Sequence, residues 1–375
     1  MMSKIMALPF IKGLDLCEQF FQEAVRPLLT HHFPNLRYAA GRLGGGSDVL
    51  GFDTPQSRDH DWGPRGTLFL AEAEFAELAP AISDMLKHEL PFTFQGYPTH
   101  YGYHEDGTLN LQFTNERPLN HMIKLTTAVR FAQDYLALEA IRPLTPVEWL
   151  CLPSQILATV RYGRLFHDTL GQVTQLRQQL HWYPHDVWLY LLVGQWTRLG
   201  QEEVFVGRTG DVGDDLGSRI IASRQIRDLM RLAFLMEKQY APYSKWFGSA
   251  FANLDCASQL ILIFEQVWQA STWREREAAL NEAYGFMAQW HNQLNLTEPL
   301  ATEVDFFYER PYRIINCDQF TAALQQQITD PQVLALPRGL GNLDQLSDST
   351  DILSKQNRFH HFKSLFDPGS SQLDS

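Results

Sequence analysis

Two prolines, Pro143 and Pro146, divide the chain into parts with different hydrophobic patterns. Before them, short alternating apolar runs take turns with segments of helical periodicity, as expected for a sheet covered by helices. After them, nearly every segment up to residue 340 has helical spacing, as in a helical bundle. Two prolines so close together stiffen a connection. We therefore predict an α+β protein with a mixed-sheet domain over 1–142 and an all-α bundle domain over 146–340.

Local patterns predict the individual elements. In the first part they predict helices over 14–29, 72–90 and 128–138, strands over 36–43, 67–70, 109–113 and 121–126, and a hairpin turn at 105–107. In the second part they predict helices over 147–169, 173–180, 185–201, 220–238, 250–269 and 272–294. The composition over 341–375 is polar and has little apolar periodicity, which predicts a weakly ordered tail.

Charge and cysteine content narrow the class of protein. The 31 Lys and Arg residues against 43 Asp and Glu give a formal charge of −12, which disfavours long nucleic acid as a partner. The four cysteines form no Cys-x-x-Cys pair, so the sequence predicts neither a zinc ribbon nor a disulfide framework. No apolar run approaches the roughly 18 residues of a membrane helix, and Pro9 interrupts the short apolar start. We expect a cytoplasmic protein with no membrane partner.

One segment carries the residue types of phosphate and metal chemistry. A glycine run leads to Gly46 and Ser47, and backbone amides in such a turn can hold phosphate oxygens. If Asp59 and Asp61 lie on an extended strand, both carboxylates face one side and can bind the same hard cations. Alone, the glycines are more simply a connection after a strand. The aspartates could instead stabilise a loop or pair with a nearby arginine, Arg58 or Arg65, so both interpretations stay open.

The same residues resemble a known signature. Gly46-Ser47, Gly51 and Asp59-x-Asp61 look like the Gly-Ser…Asp-x-Asp pattern of the DNA polymerase beta-like nucleotidyltransferase superfamily, particularly its kanamycin-type and minimal members. The wider string over 46–65 is similar to an uncharacterised bacterial family of nucleotidyltransferase-like proteins with a helical C-terminal domain. That family also has a Tyr-x-Pro-Tyr-x-Lys-Trp motif, found here at 240–246.

The resemblance implies a function and a set of site residues. It implies transfer of a nucleoside monophosphate from a nucleoside triphosphate to a hydroxyl of an unknown small-molecule or protein acceptor. Asp59 and Asp61 would be the catalytic residues and the ligands of one or two Mg²⁺ ions. The residues implied to bind the nucleotide are Gly46, Ser47, Arg58 and Lys245.

A departure from the superfamily pattern leaves an alternative open. Active members usually have a third carboxylate on a later strand, and the counterpart here, 122–125, contains no acid. The acids nearby in sequence, Glu105, Asp106 and Glu116, do not lie in a convincing strand. The alternative is therefore a nucleotide-binding or protein-interaction module with weakened catalysis.

The helical part contributes two further candidates. Arg224, Arg227 and Arg231 share one helix face, and Asp228 beside them favours a solvated face with salt bridges over a phosphate site. Lys245 lies among aromatic residues, so cation–π packing and contact with a triphosphate are both compatible with its sequence context.

Overall fold

The computed structural model describes residue 5 and residues 7–103, 107–355 and 359–366. Contacts divide the chain into two compact units. The first comprises Met1–Pro143 and Ile156–His181, and the second comprises Leu144–Gln155 and Trp182–Ser375. The first unit contains a mixed sheet with helices and the second is largely helical, which confirms the predicted α+β class. The chain passes between the units three times, at 143/144, 155/156 and 181/182, where the sequence predicts one boundary.

The first unit alternates helices and strands. Its helices are α1 (Gly13–Phe20), continued by a π-helical turn (Phe21–Val25) and α2 (Arg26–His32), then α3 (Glu72–Glu89), α4 (Ala128–Leu136) and, after α5 of the second unit (Pro146–Cys151), α6 (Ser154–Arg161) and α7 (Gln172–Gln179). Helix α6 begins in the second unit and ends in the first. The strands are β1 (Tyr38–Arg42), β2 (Arg65–Leu70), β3 (Thr93–Phe94), β4 (Tyr97–Pro98), β5 (His100–Tyr103), β6 (Leu109–Gln112), β7 (Met122–Thr127) and β8 (Arg164–Asp168).

Four of these strands form the main sheet, in the order β7-β2-β1-β8. Strand β1 pairs antiparallel with both β2 and β8, while β2 and β7 are parallel. Leu68 and Leu70 of β2 share a buried core with Leu16 and Phe20 of α1 and Ile82 of α3. Helix α3 carries acids in its first turn and Lys87 and His88 in its last, which complements the helix dipole.

Two predictions in this unit have specific outcomes. The helix predicted over 147–169 is wrong, because Pro153 separates α5 from α6 and β8 follows. Gly163, with φ +74°, ends α6 in a left-handed conformation, and pairing with β1 then makes the next residues a strand. Strands β5 and β6 pair antiparallel on either side of the predicted hairpin turn, whose residues Glu105 and Asp106 lie outside the described residues.

The second unit also contains the following elements. After α5 they are α8 (His185–Glu202), α9 (Phe205–Asp211), α10 (Asp215–Met236), α11 (Ser244–Phe251), α12 (Ala257–Gln269), α13 (Trp273–Gln293), β9 (Asp305–Phe306), β10 (Arg313–Ile314), α14 (Cys317–Gln325), α15 (Pro331–Leu334), α16 (Leu343–Leu346), α17 (Thr350–Ser354) and a 3₁₀ helix (Phe359–Phe366). Most of α8 is buried, and its Trp196 stacks on Phe320 of α14 with ring centroids 4.1 Å apart. No described helix is both long and apolar enough to span a membrane.

The start of the predicted tail is ordered, contrary to expectation. Asn342 and Gln345 form a capping box on α16, and both side chains are buried. Gln345 Nε2 also donates to the Leu191 carbonyl at 3.0 Å and to Gln195 Oε1 at 2.9 Å. A polar composition hides this contact because buried amide side chains, rather than apolar residues, attach the segment to α8.

Candidate functional site

The pairing of the main sheet brings the candidate segments to one edge. Strand β1 ends at Arg42 and β2 begins at Arg65, with Gly41 opposite Thr67 in antiparallel register. The glycine turn that follows β1 and the acidic segment that precedes β2 therefore lead from the same edge of the sheet. Strand β7 also begins there, because Met122 is in parallel register with Arg65.

The glycine turn presents unpartnered donors. The amide of Gly44 donates to the Thr159 carbonyl at 2.9 Å, and the amide of Gly45 donates to the Tyr135 hydroxyl at 3.3 Å. Among the residues that the structure describes, none accepts a hydrogen bond from the amide of Gly46, the amide of Ser47 or the Ser47 hydroxyl. These donors remain available to oxygen atoms of a ligand. Ser47 starts a turn here and no helix.

A buried ion cluster lies beside this turn. Asp48 accepts from Arg42 Nε at 2.8 Å and Nη2 at 2.9 Å, and from Arg65 Nη2 at 3.1 and 3.2 Å. Burial alone would raise the pKa of Asp48, but the two guanidinium groups outweigh it and hold that pKa below its usual value. Two arginines against one aspartate leave the cluster with a formal charge of +1.

The cluster fixes the conformation of the turn. Gly46 has φ +144°, and a Cβ atom there would lie 2.2 Å from Asp48 Oδ1 and 2.3 Å from Arg42 Nη2. Arg42 Nη2 also donates to the Gly45 carbonyl at 2.6 Å. The turn thus rests directly on buried positive charge. The sequence does not reveal this cluster. Its one signal there is that Arg42 and Arg65 occupy strand ends, which antiparallel pairing brings together.

The condition that Asp59 and Asp61 lie on an extended strand is not met. Asp59 ends a 3₁₀ helix (Pro55–Asp59), and Asp61 has φ +46°. Reciprocal capping between Thr54 and Ser57 begins the 3₁₀ helix, and β2 starts only at Arg65. The argument from alternating strand faces therefore does not apply to these two carboxylates.

Arg58 anchors the acidic segment from one side. Its guanidinium is buried and donates to the carbonyls of Ile5 at 3.1 Å, Leu8 at 2.9 Å and Pro55 at 3.0 Å. In these hydrogen bonds the acceptors are main-chain carbonyls of the same unit. The implied role of Arg58 in nucleotide binding gains no support from them and stays a prediction.

Trp62 anchors the other side. Its ring is buried, and its Nε1 donates to Asp53 Oδ2 at 3.3 Å. Asp53 is itself buried and accepts from the Gly13 amide at 2.6 Å. The two anchors leave Asp59 and Asp61 exposed between them, so the segment is a short acidic loop with fixed ends.

The donor set of this loop suits a magnesium ion that is held largely by a substrate. Asp59 is about half exposed, and its Oδ1 lies 3.0 Å from His60 Nδ1. Within the described parts of the chain, no group of three His, Cys, Asp or Glu residues is arranged to hold a metal. Mg²⁺ commonly takes one or two carboxylates and completes its shell with water and phosphate oxygens. Asp59 and Asp61 offer carboxylate oxygens of the type used in that mode, and the described residues around them form no all-protein site.

Strand β7 supplies no third carboxylate. It is present where the sequence predicts it, and its residues Met122–Thr127 include no acid. Lys124 is in register with Thr67 and pairs with Asp134 at 3.1 Å. Glu116 lies in an exposed loop before the strand, and Glu105 and Asp106 fall outside the described residues.

Within the second unit, Lys245 is exposed. Its Nζ lies 5.0 Å from the centroid of the Trp246 ring, which is a cation–π contact. Tyr240 of the same motif is buried against Trp182 and Tyr183. Contact of Lys245 with phosphate stays a prediction.

The basic stripe on α10 is paired, although not through Asp228. Arg224 pairs with Glu202 at 2.7 Å, and Arg227 pairs with Asp348. Asp228 instead pairs with Arg198 at 3.1 Å. The predicted salt-bridge role of the stripe is confirmed for these two arginines, with partners from other elements.

Parts of the chain are similar to a known family and to a solved structure. A family model described as a domain of unknown function (DUF4037) matches residues 149–247, which is less than half of the chain. No curated protein matches the chain. A nucleotidyltransferase-like protein from Exiguobacterium sibiricum, known from a crystal structure, is similar over 82% of this chain and 89% of its own, with 11% identity and a TM-score of 0.32. A TM-score of this size does not establish a shared fold.

Proposed function

We propose that the first unit binds a nucleoside triphosphate with Mg²⁺ and transfers its nucleoside monophosphate to a hydroxyl of an acceptor. The observation that carries the proposal is the glycine turn, where the amides of Gly46 and Ser47 have no partner among the described residues and rest on the buried arginines. The exposed carboxylates of Asp59 and Asp61 lie on a loop that leads into the same edge of the sheet.

Each group has a distinct part in the proposed reaction. The Gly46 and Ser47 amides and the Ser47 hydroxyl donate to the β- and γ-phosphate oxygens, and Arg42 and Arg65 favour negative charge there. Asp59 and Asp61 would hold Mg²⁺, which neutralises charge on the attacking and leaving oxygens when bound. The acceptor oxygen forms a bond to the α-phosphorus, and the bond between that phosphorus and the oxygen shared with the β-phosphate breaks. Pyrophosphate leaves with that oxygen, and the hydroxyl proton passes to water.

The proposed acceptor is a small molecule or a protein hydroxyl. The net charge of −12 repels a long polyanion at a distance, which disfavours an RNA end or DNA as acceptor. A single triphosphate is a different case because it carries few charges and bound magnesium offsets part of them.

Turnover tests the proposal directly. The purified chain is incubated with Mg²⁺, a panel of small hydroxyl compounds and proteins, and each of the four triphosphates labelled at the α-phosphate. We expect transfer of label with release of pyrophosphate, reduced at least tenfold in Asp59→Asn and Asp61→Asn. Asp84→Asn is the matched control, since Asp84 is an exposed carboxylate of α3 in the same unit. Equal activity in all four proteins would reject the assigned carboxylates.

One observation favours a second candidate function. Strand β7 carries Lys124 and no acid, so a base or third metal ligand is missing from the strand where related enzymes place it. The alternative is a nucleotide-binding module with little or no catalysis. It predicts triphosphate binding that depends on Asp59 and Asp61, without label transfer to any acceptor.

A further inference from the structure

A small pocket in the second unit is lined by arginines of α10 and by residues of the Tyr-x-Pro-Tyr-x-Lys-Trp motif at 240–246. Two arginines of α10 line one side. An aspartate of α16, a second aspartate just after α16 and residues at the start of α11 line the rest. The charged and polar residues that line it include Arg227, Arg231, Tyr243, Ser244, Asp344 and Asp348.

The two arginines share one carboxylate. Arg227 and Arg231 are one helical turn apart, so they lie on the same face of α10. Arg227 Nη1 contacts Asp348 Oδ2, and Arg231 Nη2 lies 3.5 Å from Asp348 Oδ1. Arg231 is 9% exposed, whereas the Asp348 side chain is 65% exposed. The ion-pair partner of the buried Arg231 guanidinium is therefore a carboxylate at the surface.

The other acids near the stripe are engaged elsewhere. Asp344 Oδ2 accepts from the amide of Ser154 at 2.8 Å and from its hydroxyl at 3.2 Å. Burial raises the pKa of Asp344, and the nearby charge of Arg231 acts in the opposite direction. Asp228 pairs with Arg198. Loss of Asp348 would thus remove the one carboxylate that pairs with both Arg227 and Arg231 among the described residues.

A phosphate group matches this arrangement better than a carboxylate does. Guanidinium groups bind phosphate through paired N–H donors, and a phosphate offers more oxygen atoms and more charge than one carboxylate. The remaining cavity is about 10 Å³, which holds one water molecule at most. A phosphate can enter only if Asp348 leaves. Asp348 lies in the connection between α16 and α17, so its displacement breaks neither helix.

We propose that Arg227 and Arg231 form a binding site for a phosphate-type oxyanion, and that Asp348 occupies this site in the unliganded chain. The site lies within the second unit and does not depend on the function proposed for the first. The phosphate could be free or carried by a nucleotide, since the same chemistry recognises both.

Calorimetric titration of the full chain with inorganic pyrophosphate tests this inference. We expect Asp348→Ala to bind at least tenfold more tightly than the wild type. Asp351→Ala should bind like the wild type, because Asp351 is a carboxylate of the same segment that pairs with Lys355. Adding Arg227→Gln to Asp348→Ala should abolish the gain. If Asp348→Ala gains as much affinity for metal-free ATP as for pyrophosphate, the site recognises the phosphate group alone. A larger gain for ATP would show that it recognises a nucleotide.

Two further proteins keep the outcome clear. If Asp348→Ala does not fold, Asp348→Asn removes the charge at nearly the same volume. An Asp59→Asn background separates this site from that of the first unit, because the gain should persist there. The inference is overturned if the folded Asp348 variants bind pyrophosphate no more tightly than Asp351→Ala.

Discussion

Single residues hold the glycine turn in its open form. Arg42 and Arg65 are buried with Asp48 between them, and replacing one member of such a group usually costs about 3–5 kcal/mol because a buried charge is left unpaired. The cluster also occupies the space that a side chain at position 46 would need. The buried Arg42–Asp48–Arg65 cluster therefore fixes the conformation that exposes the Gly46 and Ser47 amides.

Substitution of Gly46 should show this dependence. We expect Gly46→Ala to lower the free energy of unfolding by about 1–3 kcal/mol, since φ is +144° and the new Cβ would overlap Asp48 and Arg42. Urea unfolding followed by fluorescence measures the loss. Gly45→Ala is the matched control, because nothing lies within 4 Å of its added Cβ, and it should stay within about 0.5 kcal/mol of the wild type. Equal losses in both variants would contradict the role of the cluster.

At the residue scale, sequence patterns locate the Gly46-Ser47 turn but not the buried residues that hold it. Gly46 and Ser47 follow a strand as predicted, because glycines mark strand ends reliably. The Arg42–Asp48–Arg65 cluster depends on which strand ends meet, and hydrophobic alternation does not encode that pairing. The sequence is compatible with a strand at Asp59 and Asp61, because it does not indicate that Arg58 and Trp62 turn inward and hold a loop there.

Elements with strong periodicity are the ones that sequence predicts. Strands β2 and β7 and helices α3 and α4 occur close to their predicted places because one face of each is apolar. The segment of β8 lies within a predicted helix because its sequence, which includes Arg164, His167 and Asp168, shows no alternation of polar and apolar residues. In the structure all its residues are only partly buried. Its structure comes from pairing with β1, which local sequence does not reveal.

Packing among α8, α13 and α14 predicts a pH dependence. His291 of α13 is buried, its ring lies 4.9 Å from that of Phe320, and its Nδ1 has no hydrogen-bond partner among the described residues. Burial lowers the pKa of His291 to about 4. Between this value and about 6.5 the unfolded chain binds a proton that the folded chain does not, so stability falls as pH falls through that window.

Replacing His291 should remove that contribution. Between pH 7 and pH 4.5, we expect the free energy of unfolding of His291→Phe to fall by about 2–3 kcal/mol less than that of the wild type. Urea unfolding at the two pH values provides the comparison, and the phenylalanine keeps a ring of similar size beside Phe320. The same fall in both proteins would show that His291 does not titrate as its burial requires.

On the scale of the whole molecule, net charge and local charge act differently. The formal charge of −12 suggests that triphosphate binding would require cations from the helical part. The first unit instead contains its own, since Arg42 and Arg65 lie beneath the glycine turn. A net charge therefore says little about a site where two buried arginines outweigh one aspartate.

The division into units was only partly predictable. The first segment of the first unit ends at Pro143, one of the two prolines at the predicted boundary. The return of 156–181 to the first unit depends on β8 and was not predictable from periodicity. A boundary predicted from local sequence patterns misses a later segment that returns to the sheet as an outermost strand, as β8 does.

The most direct test of the central claim is calorimetric titration of the wild type with ATP, CTP, GTP and UTP, with and without Mg²⁺. We expect at least one triphosphate to bind, with affinity at least tenfold weaker without Mg²⁺ and in both Asp59→Asn and Asp61→Asn. Asp84→Asn should bind like the wild type. Failure of all four triphosphates to bind, or binding that is indifferent to Mg²⁺ and to both aspartates, would contradict a nucleotide site at the glycine turn.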